Sequence, residues 1–289
     1  MGNKEECGGQ MEKKLIFLDI DGTILPLDGE VHRTVKEGLQ EARRRGHQIF
    51  ICTGRSPHML PESLKDVELD GIVASAGSDI WIRGENVLRE SLDRRLLEDT
   101  LEFLEQMEVI YILEGFERVY VSKSGENILS ESVPVPGDNP EIVRWKTFFN
   151  SRKNVGDIET WRKEQAPIPK ISFITWSREE AERVYGAFKE MFHVVFFPPR
   201  SDCFFNGELI SRTANKGTAV RWTAEYLKAG IQNTIAFGDS MNDYQMIEEA
   251  ACGVVMANGD PQLKAIADRV CESVEEDGVV KELKRMELI

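Results

Sequence analysis

The stretch KKLIFLDIDGTIL, residues 13–25, decides how the rest of the chain is read. Residues 15–18 are an unbroken apolar run with strand character, and Asp19 and Asp21 stand one residue apart where that run ends. Gly22 frees the chain to turn sharply, and Thr23 is placed to fix the turn. A strand that is apolar on both faces belongs inside a parallel sheet covered by helices. In such a sheet ligands sit beyond the carboxyl ends of the strands, which is where these two carboxylates fall.

Working outward, residues 31–45 have helical spacing, with Val35, Leu39 and Ala42 on one face. HQIFICTGR (47–55) gives a second buried strand ending in a polar turn, and LDGIVASAG (69–77) a third. The rhythm returns near the C-terminus: helix over 216–228, strand over 234–237, helix over 241–250, strand over 253–256, helix over 261–267, and a last helix after Asp277. The two blocks predict one α/β domain built on a doubly wound parallel sheet, formed by 11–83 and 211–289. Between them, 84–210 has a different texture. ERVYVSKSGE (117–126) looks like part of a meander, SVPVPGDNP (132–140) is a proline-rich loop, and residues 169–199 read strand, helix, strand. This segment is expected to be an inserted α+β cap, and the polar residues 1–10 a flexible extension without the apolar core of a signal peptide.

A length of 289 residues favours two cores over one, and 41% hydrophobic with 30% charged residues is a globular balance with no window apolar enough to cross a bilayer. Fifty acidic against 36 basic residues, a net charge of −14 with no Lys/Arg run, argues against nucleic acid as a partner. Cys7, Cys52, Cys203, Cys252 and Cys271 show no CxxC spacing and are odd in number, so neither a disulfide framework nor a zinc site is expected, and a reducing cytoplasm fits.

At the predicted strand ends, Asp19 and Asp21 are joined by Thr53 after QIFIC and by Asp239 and Asp243 after TIAFG. Carboxylates gathered so closely repel one another unless a cation or proton intervenes, and oxygen ligands of this kind suit Mg²⁺. Each residue alone has a plainer reading. DxDG occurs in calcium loops, but an EF-hand starting at Asp19 would need glycine where Ile24 stands and a helix in place of the strand, although Glu30 falls on its twelfth position. Thr53 alone could be a strand-end hydroxyl, and Asp239 a helix N-cap. Their joint arrival at one sheet edge favours chemistry.

DIDGT (19–23), ICTGR with Thr53, the lysine of RTANKGTAV (Lys216) and GDSMND (238–243) together resemble the four ordered motifs of the haloacid dehalogenase superfamily phosphohydrolases. EDGVVKEL (276–283) and the large insertion between the second and third motifs resemble the Cof-type branch, whose α+β cap covers the active site. One departure is visible: Ser75-Ala76-Gly77 stands where such chains usually carry Asn-Gly.

The resemblance implies that Asp19 is the nucleophile, Asp21 the acid/base whose backbone carbonyl also binds Mg²⁺, and Asp239 a further direct ligand. Asp243 would hold a metal-bound water or Lys216. The Thr53 hydroxyl, the Ile20 and Gly54 amides, Lys216 and Asn242 would surround the phosphoryl group. The chemistry agrees, since a carboxylate is ionised at neutral pH and its acyl phosphate hydrolyses readily. Asp21 would need its proton held, which crowding by Asp19 favours. In the cap, YILEGFERVY, WKTFFN and FFPPRSDCFFNGE offer aromatic and charged groups without assigning a substrate, and Arg55 is left between substrate contact and a salt bridge at the rim.

The expected activity is hydrolysis of a small phosphorylated metabolite, a sugar phosphate by resemblance. The alternatives are a phosphosugar mutase, which needs a bisphosphate primer, a receiver-like phosphoacceptor, and a non-catalytic phosphate-binding module. A receiver carries its acidic pair on the first strand but its phosphoacceptor on the third and has no cap; a dead module would lack a motif residue, and none is missing.

Overall fold

The computed structural model describes residues 12–26, 29–125, 154–197 and 204–289. The 1–10 extension, the proline-rich loop at 132–140, WKTFFN at 145–150, residues 198–203 of FFPPRSDCFFNGE, and Cys7 and Cys203 lie outside them.

Two sheets organise the chain. The strands are β1 (Leu15–Leu18), β2 (Gln48–Cys52), β3 (Gly71–Ala74), β4 (Asp79–Ile82), β5 (Glu85–Arg89), β6 (Ile110–Glu114), β7 (Val119–Val121), β8 (Val155–Asp157), β9 (Lys170–Thr175), β10 (Phe192–Phe196), β11 (Phe205–Ser211), β12 (Thr234–Gly238), β13 (Cys252–Met256) and β14 (Arg269–Cys271). The larger sheet has the order β14-β13-β12-β1-β2-β3-β4-β5, parallel from β14 to β3 with β4 and β5 added antiparallel. β1 lies at its centre, with Leu15 opposite both Thr234 and Gln48. All four of its residues are buried because helices cover both faces, which is why LIFL carries no alternation. Helices Arg33–Arg44 and Gly278–Arg285 pack on one face with Ile16, Leu18, Ile49 and Phe237, while Lys216–Tyr226 and Tyr244–Glu249 pack on the other with Leu15, Phe17, Phe50 and Ala236.

The strand order turns back between β1 and β12, so the crevice beyond their carboxyl ends lies where Asp19 and Asp239 leave the sheet. Smaller differences from the sequence reading lie at the edges. Residues Glu85–Arg89 pair with β4 in this same sheet, so the change of sheet comes after residue 89 and not at 84. The strand at 269–271, too short and polar to signal itself, was not anticipated. Met241–Asp243 is a 3-10 turn ahead of a helix confined to Tyr244–Glu249.

The second sheet has the order β10-β11-β9-β6-β7-β8. Period-two alternation divides its residues. Tyr111, Leu113, Ile171, Phe173 and Leu209 pack into a core with helices Arg94–Gln106, Ile158–Glu164 and Arg178–Phe188. The other face presents Ile112, Glu114, Lys170, Ser172 and Glu208 toward the larger sheet, where Met59 packs against Ile112, Val119 and Val121.

Candidate active site

The sharp turn after β1 delivers the first two carboxylates. The Ile20 carbonyl accepts hydrogen bonds from the amides of Thr23, Ile24 and Leu25, closing the loop immediately. Gly22 sits at φ +85°, and a Cβ there would overlap the Asp239 carboxylate, so glycine is required both for the turn and for the close approach of the two loops. Thr23 Oγ1 donates to Asp239 Oδ1 at 3.0 Å. The threonine that fixes the first loop therefore also holds an acid of the last one.

Lys216 joins the remaining carboxylates. Its Nζ lies 2.6 Å from Asp19 Oδ1 and 2.5 Å from Asp243 Oδ1, with its side chain fully buried. The lysine is aimed by its own helix start. The Asn215 side chain accepts from the amides of Gly217 and Thr218 at 3.0 Å each, while Thr218 Oγ1 accepts from the Asn215 amide at 2.9 Å. Such a reciprocal cap fixes where the helix begins, and the first helical residue is Lys216. Replacing Asn215 by Ala is expected to cost about 1 kcal/mol of stability, the usual worth of an N-cap, together with a larger relative loss of turnover because the lysine is no longer aimed. Urea unfolding and steady-state rates on the same preparation measure the two effects.

The loop Ser75–Gly77 backs this cap. Ser75, Ala76 and Gly77 are all at positive φ (50°, 55° and 107°), and a Cβ on Gly77 would overlap the Asn215 carbonyl. The Ser75 and Ala76 amides bond to the Arg55 and Thr53 carbonyls at 2.8 and 3.0 Å. Ser75-Ala76-Gly77 thus braces the second motif against the third with backbone groups, which do not depend on the Asn side chain usual there.

Asp19, Asp239 and Asp243 bring one oxygen each within 4.8 Å of one another. Burial, then Asp243, push the Asp19 carboxyl up to about 7, with Lys216 pulling the other way. Burial and the carboxylates of Asp19 and Asp243 likewise raise Asp239 well above its ordinary range. For Lys216, burial opposes the charge, but Asp19 and Asp243 hold its affinity for the proton above normal. One buried ammonium is too little cation for three acids, and a divalent cation on hard oxygen ligands would supply the rest. Asp243 is already committed: Oδ1 to Lys216 and Oδ2 to the amides of Asp239 and Ser240 at 3.0 and 3.1 Å. That leaves Asp19 and Asp239 as the pair best placed to hold a cation directly.

The phosphate-side candidates converge as well. Thr53 is buried at the end of β2, with Oγ1 accepting from the Arg55 amide at 3.2 Å. A Cβ on Gly54 would lie 3.6 Å from Asn242 Nδ2 and 3.5 Å from Lys170 Nζ, so the second motif, the fourth motif and the smaller sheet meet there. Asn242 itself is oriented by Ser240 Oγ, which donates to its Oδ1 at 2.6 Å.

Arg55, left open between substrate contact and a salt bridge, makes the salt bridge: its Nε and Nη2 donate to the two oxygens of Asp21 at 2.8 and 2.6 Å. A buried group on the smaller sheet was not anticipated. Lys170 Nζ lies 2.5 Å from Glu208 Oε1, 3.1 Å from Glu114 Oε1 and 2.9 Å from the Gly54 carbonyl. The only sequence signal for it is a charge on each of three apolar strands: Glu114 closes β6, Lys170 opens β9 and Glu208 lies inside β11.

A haloacid dehalogenase-like hydrolase family model matches residues 16–283. YkrA of Bacillus subtilis is 29% identical over 283 residues, covering 96% of this chain and all of its own. The 5-amino-6-(5-phospho-D-ribitylamino)uracil phosphatase YitU of the same organism is 28% identical, covering 95% of this chain and 98% of its own. In fold, the chain is similar to the HAD subclass IIB sugar phosphatase BT4131, with a TM-score of 0.77 at 21% identity over 96% of this chain and 100% of the other. With the family model spanning nearly the whole described fold and the four motifs meeting at one crevice, this chain belongs to the haloacid dehalogenase-like hydrolases and is a phosphatase of their Cof-type branch.

Proposed function

We propose that the chain is a Mg²⁺-dependent phosphatase of the cytoplasm that hydrolyses a small sugar phosphate through an aspartyl phosphate on Asp19. The observation that carries the reading is the buried Lys216 ammonium, held at hydrogen-bond distance between Asp19 and Asp243 with Asp239 beside them. Lys216 pulls Asp19 toward the charged form against burial and Asp243, and a divalent cation on Asp19 and Asp239 would supply the remaining positive charge that a nucleophile toward a phosphate dianion requires. The location follows the cysteine pattern of the sequence, whose spacing suggests neither a disulfide framework nor a zinc site.

In this reading an Asp19 oxygen attacks phosphorus, and the bond to the leaving oxygen breaks with its electron pair, taking a proton from Asp21. Water then attacks the phosphorus of the acyl phosphate, gives its proton to Asp21, and phosphate leaves with Asp19 restored. Lys216, the Thr53 hydroxyl, Asn242 and the Ile20 and Gly54 amides hold the equatorial oxygens. Asp19, Asp239 and the Asp21 carbonyl would hold Mg²⁺, which when bound neutralises phosphoryl charge. Asp243 positions Lys216. For Asp21 the Arg55 fork has a consequence: guanidinium binding favours the carboxylate over the acid, so Asp21 must leave the fork to carry a proton to the leaving group.

A hydroxyl-rich leaving group is supported by the cap face. Among the described residues, Glu114 Oε2 and Glu208 Oε2 are buried acceptors without a donor, and sugar hydroxyls supply donors. The name of YitU, a phosphatase of a phosphoribityl compound, points the same way. The segment between residue 89 and the end of β11, which carries the smaller sheet, is on this reading the specificity cap. A panel of phosphorylated metabolites assayed for released phosphate tests the proposal: turnover should need Mg²⁺, vanish in excess chelator and return when Mg²⁺ is restored. Undiminished turnover with all divalent cation chelated would overturn the metal assignment.

A further inference from the structure

We propose that Arg55 is a positioning residue that couples the seating of the cap sheet to the placement of Asp21. The inference rests on the phosphatase reading above and adds to it a mechanical link between two parts of the chain.

The link is a run of five residues directly after the Thr53-Gly54 turn. At its head, Arg55 is fixed in the core: its amide donates to Thr53 Oγ1 at 3.2 Å, and its carbonyl accepts from the Ser75 amide at 2.8 Å. Its guanidinium takes Asp21 in a two-pronged grip, and the remaining Nη1 donates to the Met59 carbonyl at 3.0 Å. At its tail the run belongs to the cap. Ser56 Oγ donates to the Gly115 carbonyl at 3.2 Å, His58 Nδ1 lies 3.1 Å from the Phe116 carbonyl, and the Met59 side chain is buried among Ile112, Val119 and Val121. Lys170 Nζ, also from the cap, bonds the Gly54 carbonyl just ahead of it.

Exposure makes the link necessary. The Asp21 side chain is 43% exposed, whereas Arg55 is only 12% exposed. An aspartate that open to water has several rotamers available, and the buried fork that takes both its oxygens is a contact that selects among them. The fork in turn has one anchor, the Met59 carbonyl, that moves with the cap. When the cap is seated, Met59 is held and Arg55 presents Asp21 in one direction. When the cap lifts, Ser56, His58 and Met59 lose their partners and the anchor goes with them. Asp21 is thereby offered to a phosphorylated site only while the cap is seated, which favours attack by the water enclosed beneath it. Three of the five guanidinium N–H donors are spent inside the protein, so the arrangement suits positioning better than contact with substrate.

The test uses the full chain, Mg²⁺ and 4-nitrophenyl phosphate, with rapid mixing to separate phosphorylation of Asp19 from its hydrolysis. Arg55→Ala should keep the first step, slow the second by roughly 10- to 100-fold, a part of the full worth of general base catalysis, and leave kcat/KM close to that of the wild type, with KM falling alongside kcat as the phosphoenzyme accumulates. A burst of nitrophenolate should therefore appear. Arg55→Lys, which keeps the charge and loses the fork, should behave the same way. Combined with Asp21→Asn, Arg55→Ala should add no further slowing, and Met59→Ser should slow the second step in wild-type background but not beside Arg55→Ala. Circular dichroism and melting curves establish that each variant is folded; should Arg55→Ala not fold, Arg55→Lys and Met59→Ser carry the same comparisons. A raised KM without a burst, full recovery by lysine, or effects of Arg55→Ala and Asp21→Asn that multiply would overturn the coupling while leaving the phosphatase reading intact. Wild-type protein inert toward all phosphate esters would instead overturn that reading, and this inference with it.

Discussion

Asp19→Asn should form no phosphoenzyme and release no phosphate from any ester, whereas Asp21→Asn should become trapped halfway. The asymmetry follows from what each carboxylate faces. Asp19 is buried against Lys216, so an amide there removes the attacking oxygen and leaves the ammonium with only Asp243 as a charged partner. Asp21 is turned from that cluster toward Arg55, and its loss leaves the nucleophile, its lysine and Asp239 in place. With an alkyl phosphate, the Asp21→Asn protein should be phosphorylated roughly 10²–10⁴ times more slowly, because an alkoxide needs a proton to leave. Nitrophenolate leaves unaided. Rapid mixing with 4-nitrophenyl phosphate should then show a burst approaching one equivalent, with radiolabelled phosphate retained on Asp19 for want of a base. Covalent label in Asp19→Asn, or equal steady rates for both variants on aryl and alkyl esters, would show the two roles to be wrongly assigned.

The placement of these carboxylates was legible because motif and fold coincide. An apolar run without alternation can only be an interior strand of a parallel sheet, and the acids that follow it must then lie at the ligand edge. The same logic placed Thr53 and Asp239, since each follows a strongly patterned strand, whereas Lys216 came from the resemblance of RTANKGTAV to the third motif. What stayed hidden depends on contacts distant in sequence. Arg55 pairs with Asp21 across 34 positions, and Lys170 reaches Gly54 across 116, so no local pattern could choose between partners. Ser75-Ala76-Gly77 reads as a loop of small residues, and its bracing of Asn215 follows from a left-handed backbone that three-residue composition does not specify. The hairpin Asp79–Ile82 and Glu85–Arg89 was missed for a related reason. It closes the sheet edge, where half-exposed residues such as Val87 and Leu88 weaken the apolar signal.

Removing Lys216 should separate catalysis from metal affinity, moving them in opposite directions. Lys216→Met replaces a fully buried ammonium by an apolar chain of similar length and deprives Asp19 and Asp243 of their shared donor. Loss of one donor to the transferring group costs on the order of 10²–10³ in rate, and turnover should fall at least that far because the nucleophile is also misaligned. Stability of the metal-free protein should fall too, by roughly 3–5 kcal/mol, since breaking a buried ion pair leaves its partner uncompensated. Mg²⁺ should reverse much of that second loss. With the ammonium gone, a positive charge no longer repels the incoming divalent cation, and at ~6 Å with an effective dielectric near 20 that repulsion between +1 and +2 charges is roughly 5 kcal/mol before screening. The rise in melting temperature on adding Mg²⁺ should therefore be larger in Lys216→Met than in the wild type, by the linkage between binding and stability, in a protein that is almost inactive. Asp239→Asn gives the opposite sign, because it removes a hard oxygen ligand while leaving the Lys216 bridge between Asp19 and Asp243 untouched: a small Mg²⁺ shift and low activity together. Wild-type turnover in Lys216→Met, or a Mg²⁺ shift no greater than in the wild type, would mean that the lysine and the cation do not share the same carboxylates.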